Sequence, residues 1–351
     1  MNKVLPVILL LILFCCHNRA AEAEQPGADA YAKAMALLEK EDLAGALPLL
    51  TEAVKAGHPD AMVQIVYVMP DLDNETKRNL LEQAAAKGNA FAQFNLGNFY
   101  FQDKKDPVKA AEFYRLAMLA DHPNAGLMYG LCCLQGIGTK KDLAAAQKAF
   151  EIDIAKGNAD AMNYCAVMLC RQGKFEEGIA LLEKAANLNH APAINNLGIL
   201  ARNGNTQQER EKAFRYFNRA ANLGYVPGKR NLIMAYITGC GTEINYKTAR
   251  RFAKILATGN DARAMFILGM MDLYGYGKDA DPASAFQWYL KSASLAYVPA
   301  MLQVAEMLRT GNGVQADPTA ANQWLQKAKV MAPPEDDTEI LSEKDEKEAV
   351  K

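Results

Sequence analysis

The sequence predicts an all-α protein, an α/α superhelical solenoid of about nine helix-turn-helix repeats. A short phrase recurs every 31 to 36 residues and reads Ala, then Leu-Gly, then Tyr or Cys, then a glycine-rich turn. Apolar residues within each unit lie three and four positions apart, which is the period of an α-helix. Self-similarity at a nearly fixed period is the signature of stacked repeats, which supply extended binding surfaces.

Each repeat is predicted to contain a helix A, a glycine-rich turn and a helix B. The first small residue of each phrase falls at positions 30, 61, 92, 125, 161, 193, 228, 264 and 300. Helix B carries an alanine-rich stripe with aromatic residues, as in residues 285–289. Glycine inside helix A, as at Gly97 and Gly130, costs about 1 kcal/mol relative to alanine, so its recurrence predicts a close approach of two helices. The first two repeats are degenerate, as expected of terminal repeats that have one uncovered face.

The N-terminus has the pattern of a secretory signal peptide. Lys3 precedes thirteen largely apolar residues, and a small-x-small cleavage site follows them. The pattern predicts export, with removal of residues 1–23 by cleavage after Ala23. The apolar run rises only about 20 Å as a helix, less than the ~30 Å hydrocarbon core, which disfavours an uncleaved anchor. A lipid anchor at Cys16 is the minor alternative, because Cys15 stands where a small residue is usual. No later apolar run is long enough to span a bilayer.

The C-terminal segment differs in composition from the repeats. Pro333 and Pro334 stop the last helix, and residues 335–351 carry eight acidic and three basic side chains. A segment so charged and so poor in apolar residues is predicted to be a disordered tail, residues 333–351. The repeat body, residues 24–332, then has a net charge near +3, which argues against nucleic acid as the main partner.

The recurring phrase resembles the Sel-1-like repeat family, which is related to tetratricopeptide repeats. Residues 264–293 carry the resemblance through Leu268-Gly269, Gly275-x-Gly277, Asp281 and Trp288-Tyr289, with Asp272 where tyrosine is usual. Residues 125–157 and 300–330 also match well, whereas repeats one, two and five are weak. The resemblance implies a right-handed superhelix of antiparallel helix pairs that serves as a protein-binding adaptor.

Glycine pairs and histidines could suggest chemistry, but both have a structural explanation. The Gly-x-Gly turns follow helices rather than strands, so they are predicted to be helix C-caps and not phosphate loops. His58, His122 and His190 each precede the first alanine of a repeat by three residues. Their spacing of two repeats separates them by more than about 20 Å, too far to share a metal ion. No metal site and no cofactor are expected.

Five cysteines follow the predicted cleavage point. Cys133 and Cys165 occupy the Tyr and Leu positions of the phrase and are predicted to be buried hydrophobic residues. In an exported protein, a disulfide between Cys132 or Cys133 and Cys170 is an open alternative. No nucleophile with a base, and no pair of acids, stands out from the turns and solvated helix faces. The sequence therefore predicts a protein that is not an enzyme.

The resemblance also implies where a partner binds. In tetratricopeptide-like arrays helix A lines the concave surface, with contacts two, six and nine residues after the first alanine. These predicted contact positions hold Phe94, Asn98, Phe101, Asn163, Asn195, Arg202, Arg230, Phe266, Met270 and Leu273. Aromatic and methionine anchors around an Asn/Arg centre suit an extended or helical peptide. The alternative for the Phe and Met positions is that they pack one A helix against the next.

Asn163, Asn195 and Arg230 are the stronger candidates, because buried polar groups require partners. Replacing Arg230 and Asn195 by alanine is expected to abolish partner capture with little loss of stability, as is usual for exposed positions.

These observations predict a non-enzymatic scaffold in the cell envelope that grips a protein or peptide segment on the concave face of its A helices. The expected location is periplasmic or secreted. The export signal and the resemblance both indicate a bacterial periplasm, and the signal peptide would also work in a eukaryotic secretory pathway. One alternative is a secreted factor that binds proteins of a host or neighbouring cell. A second is a hydrolase with an unrecognised pocket in the superhelix. The sequence leaves the identity of the partner and the oligomeric state open.

Overall fold

The structure is a computed structural model that describes residues 25–102 and 105–331. Within them it contains eighteen α-helices and no strand, which confirms the predicted all-α solenoid. The predicted signal peptide, Cys16 and the predicted acidic tail lie outside the described residues. No helix in the described part of the chain is both long and apolar enough to cross a membrane.

The helices form nine consecutive pairs, in which odd-numbered helices are the predicted A helices and even-numbered helices the B helices. The first five pairs are α1 (Ala28–Leu38), α2 (Leu43–Ala56), α3 (Pro59–Val68), α4 (Asn74–Ala86), α5 (Ala90–Gln102), α6 (Pro107–Leu119), α7 (Ala125–Gln135), α8 (Leu143–Ala155), α9 (Ala159–Arg171) and α10 (Phe175–Asn187). The other four pairs are α11 (Ala191–Arg202), α12 (Gln207–Asn222), α13 (Val226–Thr238), α14 (Tyr246–Thr258), α15 (Ala262–Leu273), α16 (Pro282–Ser294), α17 (Val298–Thr310) and α18 (Pro318–Met331).

The chain forms two compact units. Unit 1 ends at Cys165 and unit 2 begins at Ala166, so the division falls within α9. Unit 1 contains α1–α8, and unit 2 contains α10–α18.

Side-chain caps fix where many of the B helices begin. Asp42, Asp106 and Asp142 each accept a hydrogen bond from a backbone N–H in the first turn of α2, α6 and α8. Thr206 and Glu209 form a reciprocal capping box at the start of α12. A cap of this kind stabilises a helix by about 1 kcal/mol. The residues of the turn therefore set the register of the helix that follows.

The recurring glycine of helix A lies against a buried aromatic ring of helix B. A Cβ atom at Gly97 would come within 2.6 Å of the Tyr114 ring, and one at Gly130 within 2.5 Å of Phe150. Unit 2 repeats the arrangement, with Gly198 against Phe217 and Gly269 against Tyr289. The close helix approach predicted from these glycines is confirmed. Repeat five differs, because its contact glycine is Gly178 on helix B, against Cys170 of helix A.

The Gly-x-Gly turns end A helices, as predicted. Gly136 caps α7 in the left-handed conformation with φ of 72°, and Gly138 also has positive φ at 68°. A side chain at Gly138 would overlap the carbonyl of Pro107, at the start of the preceding B helix. In unit 2, Gly241 lies in the same way against Arg210, and Gly313 against Pro282. The second glycine of these turns thus allows each repeat to contact the B helix before it.

None of the cysteines among the described residues forms a disulfide. Cys133 and Cys165 are buried, as their positions in the phrase predict. The disulfide left open between Cys132 or Cys133 and Cys170 is absent from the structure. Burial raises the pKa of Cys132 to about 11, and it also raises the pKa of Cys170. These thiols are therefore protonated and poorly nucleophilic near neutral pH.

Candidate protein-interaction surface

The predicted contact positions all lie on odd-numbered helices, but the structure gives them different surroundings. In unit 1, Phe101 near the end of α5 is 42% exposed. Phe94 is half-buried: its ring stacks on His122 with centroids 4.1 Å apart and also contacts Tyr114. The hydroxyl of Tyr114 donates a hydrogen bond to Asn98 Oδ1 at 2.8 Å. Of these three predicted positions in α5, Phe101 is the most accessible.

The His122 ring packs against Phe94 of α5. The ring is buried, and its Nδ1 accepts a hydrogen bond from the backbone N–H of Asn124 at 3.3 Å. Burial, together with the nearby charge of Lys156, lowers the pKa of His122 to about 4. The imidazole is therefore neutral near pH 7 and acts as an aromatic packing surface for Phe94.

In unit 2, the two strongest predicted candidates already bind neighbouring repeats. Asn195 is 4% exposed, and its Oδ1 accepts a hydrogen bond from Asn231 Nδ2 at 2.8 Å, which joins α11 to α13. Arg230 donates to the carboxylate of Asp261 at 2.7 Å and 3.1 Å. The expectation that removing Arg230 and Asn195 leaves stability nearly unchanged is therefore wrong on geometry, because both side chains hold adjacent repeats together.

Phe266 and Met270 are packed inside unit 2, with 5% and 3% of their surfaces exposed. The Phe266 ring lies 5.2 Å from that of Tyr289 and 5.5 Å from that of Tyr297. These two side chains do not present a surface to a partner, so the packing alternative applies to them. Leu273 is half-buried against the same cluster as Phe266.

The remaining predicted positions are Asn163, which is buried in α9, and Arg202 at the end of α11. The Arg202 guanidinium is partly exposed and lies 5.9 Å from the centroid of the Phe217 ring. Arg202 and Phe101 are thus the accessible cationic and aromatic members of the predicted set, one in each unit.

The sequence analysis missed a column of asparagines three residues after the first alanine. Asn95 Nδ2 donates to Tyr67 Oη at 2.8 Å, and Asn231 makes the contact with Asn195. Both hydrogen bonds join consecutive A helices. The recurrence of Asn at this position, also seen at Asn196, was the available signal. In each unit, therefore, one amide hydrogen bond joins two consecutive A helices.

Asp272, which stands where the repeat phrase usually has tyrosine, lies in a network of charged and polar side chains. Its buried carboxylate accepts hydrogen bonds from Arg250 and Ser284, each at 2.5 Å, and pairs with Lys278 at 3.1 Å. Burial raises the pKa of Asp272, but the bonds from Ser284, Arg250 and Lys278 outweigh burial and hold it below its ordinary value. The described residues contain no group of three His, Cys, Asp or Glu side chains able to hold a metal ion.

The comparison with known families identifies the repeat. The Sel1 repeat model matches residues 90–122, 124–151, 159–190, 191–225, 262–297 and 298–329, more than half of the chain. The chain belongs to the Sel1 repeat family. Sel1 repeat proteins generally act as protein-interaction scaffolds and are generally not enzymes. Repeats one and two, whose phrases are weak, are not matched. Repeat five, whose phrase is also weak, is matched, and repeat seven, at 226–261, is not.

Two relatives by sequence are distant and longer. The uncharacterised protein NMB1327 of Neisseria meningitidis serogroup B is 26% identical over 294 residues, covering 72% of this chain and 62% of that protein. Chitin synthase regulatory factor 3 of Schizosaccharomyces pombe is 24% identical over 269 residues, covering 61% of this chain and 29% of that protein. The chain thus spans less than two thirds of the length of either relative.

Two crystal structures have the same fold. The protective antigen c5321 of uropathogenic Escherichia coli, which displays a Sel1-like repeat fold, is 22% identical with a TM-score of 0.62, covering 82% of this chain and 64% of c5321. A Sel1 repeat protein of Oxalobacter formigenes has the same identity and TM-score, covering 82% of this chain and 88% of that protein. At this identity the likeness establishes the fold alone.

Proposed function

We propose that this Sel1 repeat protein is an exported scaffold of the cell envelope that binds a protein segment on the exposed side of its A helices. The observation that carries the proposal is the α5 face, where the exposed ring of Phe101 lies on a helix held rigid by its neighbours. Asn98 is fixed by Tyr114, Phe94 is stacked on His122, and Asn95 is bonded to Tyr67. A pre-ordered face loses little conformational entropy when a partner docks.

The second element is Arg202 of α11, in unit 2. Its guanidinium is partly exposed and lies 5.9 Å from the centroid of the Phe217 ring. Exposed aromatic and arginine side chains are the residue types that most often anchor protein partners. The fission-yeast relative is named a regulatory factor of an enzyme, which also fits a role carried out through another protein.

Partner capture by Phe101 has a matched control within the chain. Phe175 is 53% exposed at the start of α10, a B helix, so it offers the same side chain on the opposite class of helix. Envelope extract is passed over the immobilised native chain, the Phe101→Ala variant and the Phe175→Ala variant, and bound proteins are quantified by mass spectrometry. The proposal predicts a protein lost with Phe101→Ala and kept with Phe175→Ala. Equal capture by both variants would contradict it.

Export is tested separately, by the mass and location of the mature chain. Cleavage after Ala23 predicts an intact mass that starts at residue 24, with the chain recovered in the osmotic-shock fraction. Recovery from the medium alone would favour the secreted-factor alternative over the envelope scaffold. An intact mass that starts at a lipid-modified Cys16 would support the lipid-anchor alternative. A full-length mass in the cytosolic fraction would contradict export.

A further inference from the structure

The last four B helices, α12, α14, α16 and α18, each carry an aromatic residue at the same position. These half-buried residues are spaced by 36 positions: Tyr216, Phe252, Trp288 and Trp324. In every case the residue three positions earlier is a buried alanine, so the four helices turn the same side to the core. Each helix from α12 to α18 packs on the next. Because stacked repeats differ by only a small rotation, the four rings lie along one flank of unit 2.

A cation lies over every one of these rings, and we call the four pairs the cation–aromatic row. The distances from the charged group to the ring centroid are 5.7 Å for Lys212 on Tyr216, 5.1 Å for Arg251 on Phe252, 4.6 Å for Lys291 on Trp288 and 4.8 Å for Lys327 on Trp324. All four are within the range of a cation–π interaction. The four cations are exposed, and none of them forms an ion pair with a described residue.

The four helices have a large excess of positive charge. There are four basic and two acidic residues in α12, and four, one and two basic residues in α14, α16 and α18, with no acidic residue in these last three. Two of the cations are engaged elsewhere: Arg219 donates to the Ala186 carbonyl, and Arg250 pairs with Asp272. The first four B helices of unit 1, α2, α4, α6 and α8, together contain six basic and six acidic residues. The excess is therefore a property of this flank rather than of B helices in general.

Exposed aliphatic side chains lie beside the cation–aromatic row. Ile255 is 59% exposed and follows Phe252 by three residues, which places the two on one helix side. Val330 is 85% exposed and follows Lys327 by the same spacing. Cations, aromatic rings and exposed aliphatic groups on one side of a helix are the composition of a surface that lies in a lipid interface.

We propose that this flank of unit 2 docks on a membrane surface that contains anionic lipids. The cations contact the lipid phosphates, and each Lys or Arg near such a surface strengthens binding about fivefold. The tryptophans, Ile255 and Val330 reach the boundary between headgroups and acyl chains, where tryptophan is enriched. Docking through B helices leaves the exposed positions of the A helices available to a protein partner.

The state of the rings favours a lipid surface over a nucleic acid or a sugar. A base binds an aromatic side chain by stacking on its open face. Here the chain's own cation covers each ring, and Phe252, Trp288 and Trp324 also pack against buried residues of unit 2. Stacking would have to displace these contacts, whereas a headgroup layer can bind the cations and the ring edges as they stand.

Co-sedimentation with vesicles of equal parts phosphatidylglycerol and phosphatidylcholine tests the proposal, with phosphatidylcholine alone as the neutral surface. The test variant is Lys212→Gln, Arg251→Gln, Lys291→Gln, Lys327→Gln. The control variant removes the same charge from exposed lysines of unit 1: Lys55→Gln, Lys140→Gln, Lys141→Gln, Lys148→Gln. All chains share one N-terminus, so a difference between the variants reports on the flank, and circular dichroism confirms that each is folded.

The native chain is expected to bind the anionic vesicles and not the neutral ones. The test variant should bind at least about tenfold more weakly, and the control variant within about twofold of the native chain. Equal losses in the two variants would overturn the proposal, because binding would then follow net charge alone. Absence of binding by the native chain, or equal binding to neutral vesicles, would also overturn it.

Tryptophan fluorescence reports on the same contact, because Trp288 and Trp324 are the only tryptophans in the chain. Anionic vesicles should shift the emission to shorter wavelength, and lipids with brominated acyl chains should quench it. The variant Ile255→Ser, Val330→Ser should bind vesicles more weakly but keep its retention on heparin, used as a soluble polyanion probe. Strong heparin binding without quenching by the brominated lipids would assign the flank to a soluble polyanion and overturn the proposal.

Discussion

Arg230 of α13 donates hydrogen bonds to the carboxylate of Asp261, 31 residues further along the chain, and Asp261 caps the next A helix. One carboxylate oxygen of Asp261 accepts the N–H of Ala264 at 2.8 Å, in the first turn of α15. The Asp261 side chain is 9% exposed, so the arginine neutralises a charge that is largely removed from water. In unit 1, side-chain hydrogen bonds also join consecutive repeats: Asn89 donates to Asp60, and Asn158 donates to Asn124.

Arg230→Ala is expected to lower the free energy of unfolding by about 1–3 kcal/mol, because it leaves the Asp261 carboxylate without its charged partner. Equilibrium urea denaturation followed by circular dichroism measures the loss. Arg251→Ala, which removes an exposed arginine from α14, should change stability by less than about 0.5 kcal/mol. Equal free energies of unfolding for the two variants would contradict a stabilising role for the Arg230–Asp261 pair.

Gly97→Ala is expected to destabilise the chain by about 1–3 kcal/mol, since the added methyl group would lie within 2.6 Å of the Tyr114 ring. The higher helix propensity of alanine offsets about 1 kcal/mol of this. Gly259→Ala is the control, because its nearest atom outside the adjoining residues is the Leu256 carbonyl oxygen at 3.3 Å. Thermal unfolding of the two variants should show a loss for Gly97→Ala and almost none for Gly259→Ala. The reverse order would contradict the packing assigned to Gly97.

Asp272→Asn is expected to cost about 2–4 kcal/mol, because Arg250 and Lys278 lose the buried charge between them. The loss falls below the largest values for buried pairs because Lys278 is partly exposed and remains solvated. Asp279→Asn, an exposed neighbour in the same turn, serves as the control in urea denaturation. A similar small change in both variants would show that the Asp272 network adds little to stability.

Stability should fall at acid pH through His122. Burial and Lys156 lower the pKa of His122 to about 4 from 6.5, so the folded chain binds fewer protons than the unfolded chain between these values. The free energy of unfolding therefore holds its full value above about pH 6.5 and falls by up to about 3 kcal/mol as the pH drops towards 4. His122→Asn keeps an acceptor for Asn124 and removes the titration. The pH dependence of the native chain should exceed that of this variant, and equal slopes would contradict the assigned pKa.

The sequence was sufficient for the fold because the features that set it are local. The nine helix pairs, the glycines against aromatic rings and the helix-ending turns all follow from residues within a single repeat. Leu268, at the Leu position of the phrase, is fully buried. The repeat phrase specifies which side of a helix faces the core, so this side can be predicted from the sequence of one repeat alone.

The candidate site was less predictable because the exposure of each site residue depends on which side chains of other repeats pack against it. Phe266 and Phe101 are the same residue type on A helices, yet their exposed fractions are 5% and 42%. Tyr297, from the next repeat, contacts Phe266, and no spacing rule specifies such a contact. Arg230 lies on helix A of its repeat, but its partner Asp261 lies in a turn before the following A helix.

Photo-cross-linking in intact cells tests the central claim, that the A-helix face binds a protein segment. A benzophenone-bearing phenylalanine analogue is placed at position 101 on α5 in one strain and at position 175 on α10 in another, replacing a phenylalanine at each site. The account predicts a discrete cross-linked partner from position 101 and none from position 175 after irradiation. The same products from both positions, or products from position 175 alone, would contradict it.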